Sequence, residues 1–331
     1  MTKRYHSRIQ KRKIKKSHRK KILWVLIPIL FLLGATSVYG ALLYNKAEEV
    51  MNESHVDDGR DKSERRTEAP DPKKDNVSVL FIGIDSSDKR GNQDSARSDA
   101  LILATLNKED KSVKLLSIPR DSYVYIPELG YSDKINHAHA YGGAKASIET
   151  VEELFDIPVD YYVRLNFEAF IDVVDSLNGI TVDVPFELYE QDSNDRKNAI
   201  HLLPGEQQLN GEEALALART RKLDNDIERG KRQQDIIKAI VKRAASLDSI
   251  FRYDDVIEAV GANMQTNMEF DEMKSFTSYR SLDIEALTLK GSDYWPGDVY
   301  YYQLDEADVA AKSEILQNHL ELNEETEAST N

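Results

Sequence analysis

Val77-Ser-Val-Leu-Phe-Ile-Gly-Ile84 is a near-continuous apolar run of eight residues. A strand with one wet face alternates apolar and polar residues, whereas an unbroken run marks a strand buried on both faces in the middle of a sheet. Two runs of the same kind follow, Ala100-Leu-Ile-Leu-Ala-Thr-Leu106 and Val113-Lys-Leu-Leu-Ser-Ile118. Lys108-Glu-Asp-Lys111 between them has the polarity of a tight turn. Further strands are expected at Tyr161–Leu165, Ile180–Val184, near Leu287–Leu289 and near Val299–Gln303. Helical periodicity covers Ala144–Phe155, Phe167–Leu177 (closed by Asn178-Gly179), Leu209–Ala218 and a long stretch to about Ala245. More helical segments are expected near Ile250–Ala262 and Phe270–Tyr279, with a final amphipathic helix to Leu320. Strands alternating with helices predict an α/β fold with a mixed sheet and no internal repeat.

Upstream of Val77 the composition changes twice. Residues 1–21 hold eleven Lys/Arg and no acid, and Ile22–Tyr44 follows without a charge. Those 23 residues exceed the roughly 20 that cross a bilayer core. They are also longer than the about 7–15 apolar residues of a cleaved signal peptide. The expectation is a single uncleaved transmembrane anchor with a cytoplasmic tail, the rest lying outside the cell membrane by the positive-inside rule. Residues 45–76 are charged and apolar-poor and read as a juxtamembrane stalk and linker. A compact domain over 77–322 and a frayed tail over 323–331 complete the expected organisation.

The chain carries 44 basic and 58 acidic residues, a net charge of −14. Without the eleven of the tail, 33 basic residues stand against 58 acids, a balance of −25. That surface argues against nucleic acid as a partner, and the basic tail beside an apolar segment is explained by orientation and anionic lipid headgroups. There is no cysteine, hence no disulfide framework and no thiol nucleophile.

Against this acidity, Arg219-Thr-Arg-Lys-Leu-Asp-Asn-Asp-Ile-Glu-Arg-Gly-Lys-Arg-Gln-Gln234 places six basic residues in sixteen. Arg229, Gln233, Ile236, Ile237 and Ile240 fall on one helical face, so Arg229 and Gln233 begin an inward-looking stripe. A buried arginine needs an anion, and a helix N-terminus favours one. Two readings satisfy it: a phosphate site, or a structural network with Asp224, Asp226 and Glu228. Other polar clusters sit at strand ends: Asp85 after the first strand, Arg97-Ser-Asp99 before the second, and Arg120-Asp121 after Ser117-Ile-Pro119. A donor-rich loop, Lys134-Ile-Asn-His137-Ala-His139-Ala-Tyr141-Gly-Gly143, leads into the next helix. Its glycines would let backbone N–H groups approach a phosphate. Two carboxylates at adjoining strand ends can share Mg²⁺. Taken singly, each Asp is also explained as a turn or cap, and Arg120-Asp121 as a surface ion pair.

Neither a Walker loop nor a Gly-x-Ser-x-Gly elbow is present. His137 and His139 would share a side of a loop, but a third zinc ligand with convincing spacing is missing. The assembled set of arginines, one lysine and two carboxylates suits a diphosphate, whose oxygens guanidinium forks clamp while cations neutralise charge during phosphoryl transfer.

Phe81-Ile-Gly-Ile-Asp85, Arg97-Ser-Asp-Ala-Leu101, Ser117-Ile-Pro-Arg-Asp121, Lys134-Ile-Asn-His-Ala138 with Tyr141-Gly-Gly143, and Arg219-x-Arg221 through Arg232-Gln-Gln234 occur in an order that resembles the LytR-CpsA-Psr family of Gram-positive bacteria. Within it the chain is most similar to the polyisoprenyl-teichoic acid–peptidoglycan teichoic acid transferases. The resemblance implies a three-layer α/β/α domain behind a single membrane anchor. It implies transfer of an anionic glycopolymer of wall teichoic acid type from a polyprenyl diphosphate carrier to the C6 hydroxyl of peptidoglycan N-acetylmuramic acid, with Mg²⁺ as cofactor. By motif, Asp85 and Asp99 would hold the metal, and Asp99 would activate the acceptor. Arg97, Arg120, Arg219, Arg221 and Gln233 would contact phosphate, with Arg229 and Arg232 in support. Ser122-Tyr-Val-Tyr125 stands where several members carry a further Arg, so that either one arginine contact is missing or another residue, such as Lys134, substitutes for it. Asp88 and Asp94 are alternatives to Asp85. A lipid carrier without turnover and a membrane-bound regulator are the competing function classes.

Overall fold

The structure, a computed structural model, describes residues 39–84, 96–220, 226–244, 246, 257, 261, 264–275 and 283–322. The expected basic tail, positions 22–38 of the expected anchor, Asp85, Asp88, Asp94, Arg221, Asp224, most of the helix expected near Ile250–Ala262 and the tail 323–331 lie outside these residues. Residues 39–48, the described part of a first unit, are helical, and a second unit begins at Glu49. Among the described residues no helix is long and apolar enough to cross a membrane.

The apolar run Val77–Ile84 forms β1. It lies inside a six-stranded mixed sheet in which β11 (Met264–Thr266), β6 (Tyr161–Asn166), β1, β2 (Ser98–Asn107), β3 (Ser112–Ile118) and β12 (Asp283–Thr288) are neighbours in that order. β1 is parallel to β6 and antiparallel to β2, β2 is antiparallel to β3, and β12 is parallel to β3. Burial on both faces follows from the strand period of two. Leu80, Ile82 and Ile84 enter one core with Ile148, Val151 and Phe155 of α1 (Asn136–Phe155) and Leu316 of α6 (Glu306–Leu320). Val77 and Val79 enter a second core with Met51, Ile102, Tyr161, Met264, and Ile237 of α4 (Asp226–Ala244). Helices on both faces make the three layers. Truncating Ile82 to alanine would cost about 2–5 kcal/mol, since the cavity opens between close-packed layers. A third core joins α2 (Phe167–Ser176) and α3 (Gly211–Arg219) to the paired strands β7 (Ile180–Val184) and β10 (Gly205–Leu209).

Several expectations change. The hairpin β4 (Tyr123–Ile126) and β5 (Tyr131–Lys134) has no counterpart in the sequence reading, because four-residue strands are too short to show a period. The donor-rich loop is not a loop beyond Ile135: α1 starts at Asn136, and its backbone leaves helical geometry only at Gly142 and Gly143. Gly143 takes φ +64°, so the glycines serve a break in the helix, not a phosphate cradle. Helical geometry also turns His137 and His139 about 200° apart. His137 Nδ1 meets Asp133 Oδ2 at 2.7 Å, and His139 is buried with Nδ1 at 2.6 Å from the Ala96 carbonyl. The strand near Val299–Gln303 is β14 (Tyr301–Leu304), in a hairpin with β13 (Gly291–Tyr294). The helix expected over Phe270–Tyr279 is described as α5 (Phe270–Ser275). β8 (Leu188–Glu190) and β9 (Ile200–Leu202) flank the polar loop 191–199. Residues read as a linker are bonded to the fold: Arg66 pairs with Asp160, and Arg60 reaches Glu152 at 3.3 Å.

Candidate functional site: an open arginine–carboxylate edge

The register brings four chain segments to one sheet edge. Because β2 runs against β1 and β3, the end of β1, the start of β2, and the ends of β3 and β6 lie together. Arg97 and Asp99 come from the start of β2, Arg120 and Asp121 from just past β3. Asn166 ends β6 and caps α2 by accepting from the Ala169 N–H at 2.8 Å, which sets Phe167 at the same edge. A capping box of Asn210 and Glu213 starts α3, whose last residue is Arg219. The Arg219 guanidinium then lies over the Phe167 ring, 4.6 Å from its centroid.

At the centre, Arg120 forms an ion pair with one carboxylate oxygen of Asp99, and its Nε lies 3.5 Å from Asp121. Lys134, at the end of β5, reaches the other Asp121 oxygen at 2.8 Å. Burial opposes the charge of Arg120, but Asp99 and Asp121 outweigh it and raise its pKa. Burial likewise pushes the Asp121 carboxyl up, yet the bond from Lys134 and the charge of Arg120 hold it below its usual value. Both groups are therefore charged at neutral pH. The side chains of Arg120 and Asp99 remain 21% and 28% exposed. Among the described residues the second Asp99 oxygen has no partner. Two hydroxyls buried beside Asp99 and Arg219, Ser98 Oγ and Thr220 Oγ1, also lack one.

The two readings of the Arg-rich stretch separate residue by residue. Arg229 is buried and pairs with Asp226 at 3.0 Å, while its Nη2 donates to the Asp99 carbonyl at 3.4 Å. For Arg229 the structural network describes what is found: it ties the start of α4 to β2. Arg232 is buried too, donating to the carbonyls of Leu217 (3.2 Å) and Thr220 (2.6 Å), over the Phe186 ring. Gln233 donates to the Ala218 carbonyl at 3.2 Å. Arg232 and Gln233 thus satisfy carbonyls at the C-terminus of α3 and fix where Arg219 points. Arg219 is half-buried and Arg97 is exposed, so these two stand at the rim with Arg120. Asp85 and Arg221 lie outside the described residues.

Three features escaped the sequence reading. Gln234, fully buried, donates to the Leu115 and Leu287 carbonyls at 2.8 Å each and locks α4 onto β3 and β12. Gly230 lets α4 approach β3 closely, since a Cβ there would collide with Ser117 Oγ. Tyr300 and Tyr301 flank Lys134, with ring centroids 5.9 and 5.5 Å from its Nζ. The run Tyr300-Tyr-Tyr302 was the available signal. Lys134 also faces Tyr123 across the β4–β5 hairpin.

Such a site, an anion-receptive edge of a mixed α/β sheet with a carboxylate among arginines, defines a phosphate-handling protein. The chain belongs to the LytR_cpsA_psr family, whose model matches residues 41–318. TagT of Bacillus subtilis, a polyisoprenyl-teichoic acid–peptidoglycan teichoic acid transferase, is 43% identical over 318 residues, covering 95% of this chain and 98% of TagT. TagU of the same organism is 37% identical over 93% of this chain and 100% of its own. Among solved structures, TagT bound to LIIa-WTA aligns with TM-score 0.68 at 41% identity, covering 78% of this chain and 96% of that one. TagT with bound octaprenyl pyrophosphate lipid aligns at 0.65 and 39% identity, covering 80% and 98%.

Proposed function

We propose that this chain transfers an anionic glycopolymer of wall teichoic acid type from a polyprenyl diphosphate carrier to the C6 hydroxyl of peptidoglycan N-acetylmuramic acid. The observation that carries this reading is the partly exposed Asp99–Arg120 pair at an edge that also holds Arg97, Arg219 and Lys134. Relatives similar over nearly their whole length are named for this transfer, and one is seen with a polyprenyl diphosphate. A compact cationic rim suits a diphosphate, and a carboxylate inside it suits the acceptor hydroxyl. Arg97, Arg120 and Arg219 bind the phosphate oxygens. Asp99 orients the acceptor hydroxyl and takes its proton as the new O–P bond forms. The bond to the second phosphate breaks, and polyprenyl monophosphate leaves with the electron pair. Charge spreading onto the phosphate oxygens meets guanidinium groups already held in place, by Phe167 for Arg219 and by Asp99 and Asp121 for Arg120.

A divalent cation fits the donor set. The unpartnered Asp99 oxygen is a hard ligand at the rim, and Mg²⁺ takes one or two carboxylates together with phosphate oxygens. Asp99 and Asp85 would hold it, and when bound it neutralises diphosphate charge. The anchor expected over residues 22–44 would keep the domain at the outer membrane surface, where a lipid-linked donor is presented, with the N-terminus in the cytoplasm. The domain then spans 77–322, with residues 45–76 leading to it.

The test uses the full chain in detergent with Mg²⁺, a lipid diphosphate-linked polymer and peptidoglycan fragments. Polymer covalently attached to the fragments by the parent chain, and lost with Arg219→Ala, is the expected result. Tight lipid binding without attachment, acceptor and metal in excess, would replace the transferase by a lipid carrier.

A further inference from the structure

The cationic edge ends at Lys134, and an aromatic ledge begins there. Tyr123 from β4 packs against Tyr294 from β13 and Tyr301 from β14, with ring centroids 5.5 and 5.0 Å away. Trp295 meets Tyr300 edge to face at 5.1 Å. Positions 291–299 are exposed throughout, and the Trp295 side chain is among the most exposed large apolar groups at 59%. The ledge is nonetheless tied to the reaction edge: the Tyr302 N–H donates to the Asp121 carbonyl at 2.8 Å. Tyr301 donates to Asp133 at 3.2 Å and Tyr300 to Asp293 at 3.1 Å. Burial and the bond to Asp293 push the Tyr300 hydroxyl up, so it stays a neutral donor.

An exposed aromatic cluster of this size needs a partner. Locked Tyr and Trp rings offer broad apolar faces at low entropy cost and suit flat, polar-edged ligands. Charge then selects among them. Asp293 and Asp133 accept from the Tyr300 and Tyr301 hydroxyls, while the charge of Lys134, whose Nζ lies 5.5 Å from the Tyr301 centroid, is matched by Asp121. A polyanionic donor polymer or an anionic lipid surface would be repelled there. An uncharged sugar would not be: the C–H faces of its pyranose rings pack on aromatic faces, and its hydroxyl and amide groups donate to the carboxylates. We infer that the Tyr123–Tyr294–Trp295–Tyr300–Tyr301 ledge is the subsite for the glycan strand of the peptidoglycan acceptor. This assignment rests on the proposed transferase reading, and it gives donor and acceptor separate approaches: polymer phosphate along the arginines, neutral glycan along the rings.

The probe is an uncharged N-acetylglucosamine oligomer, titrated against the full chain in detergent, with acceptor dependence of transfer measured alongside. It carries the pyranose rings and acetamides of the glycan strand without the lactyl carboxylates that removal of the peptides would free. Tyr294→Ala/Trp295→Ala should weaken glycan binding and raise the acceptor KM by about tenfold, as expected for aromatic anchors. Affinity for polyprenyl diphosphate should stay unchanged. Trp295→Tyr, which keeps a ring, should restore most of the loss. Tyr189→Ala, another exposed aromatic on β8, should behave as the parent. Unaltered glycan binding in the double variant overturns the assignment, and so does loss of polyprenyl diphosphate affinity in place of glycan binding. If the parent binds glycan through these residues but transfers nothing, the ledge stands and the transferase reading fails.

Discussion

Two arginine–aspartate pairs lie at opposite ends of the central strand and show what separates a structural ion pair from a site. At the start of β1, Arg66 meets Asp160 with two bonds of 3.0 and 2.8 Å, the side chains 3% and 0% exposed. Further bonds close it: Arg66 also donates to the Asn76 carbonyl, and Asp160 accepts from the Ser78 N–H at 2.9 Å and Ser78 Oγ at 3.1 Å. Past the other end of β1, Arg120 and Asp99 form a pair that is 21% and 28% exposed, with one oxygen unpartnered among the described residues. The first pair is closed and holds residues upstream of Val77 to the sheet. The second is open and can exchange its partners for a ligand.

The comparison is sharpened first by breaking the closed pair. Arg66→Ala leaves a buried carboxylate uncompensated and should cost about 3–5 kcal/mol in denaturant unfolding, with turnover per folded molecule unchanged. A loss below one kcal/mol would mean that the closed pair is not what ties this end together. On the open side, Arg219→Ala should lower affinity for polyprenyl diphosphate by roughly 1.5–3 kcal/mol, the worth of a charged hydrogen bond, while leaving stability near that of the parent.

The closed end also predicts a pH dependence. His319 is buried against Thr105 (2.7 Å) and Ser112 (2.9 Å), and burial lowers its pKa to about 4. The unfolded chain takes up that proton near pH 6.5 and the folded one does not until about pH 4, so stability falls as the pH drops through this window. The slope should reach about 1 kcal/mol per pH unit, and His319→Gln should flatten it. An unchanged slope would assign the acid sensitivity elsewhere. The smallest effect belongs to a pair exposed on both sides: breaking Lys231–Glu228, 50% and 46% exposed, should change unfolding by less than about 0.5 kcal/mol.

What the sequence made legible follows from the range of the interactions involved. β1 could be read because burial on both faces removes polar residues from the strand itself. The strand-end clusters could be read because a sheet gathers alternate strand ends at one edge whatever the loops do. Arg229 could not be assigned, because a pairing with Asp226 three residues before it and a contact with an external anion are both compatible with the same sequence. The β4–β5 hairpin is too short to show a period, and the start of α1 at Asn136 is hidden because glycines at 142 and 143 mimic a loop in sequence while interrupting a helix in space. Tyr123 is far in the chain from Tyr294 and Tyr301, and the three meet only once both hairpins form.

The most direct test of the open pair is turnover by Asp99→Asn, which keeps the shape of the side chain and removes its charge. The account predicts that attachment of polymer to peptidoglycan fragments falls by at least about 10²-fold, while lipid diphosphate binding and the unfolding midpoint stay close to those of the parent. Transfer at the parental rate, with binding and stability equally unchanged, would contradict the assignment of Asp99 to the acceptor hydroxyl.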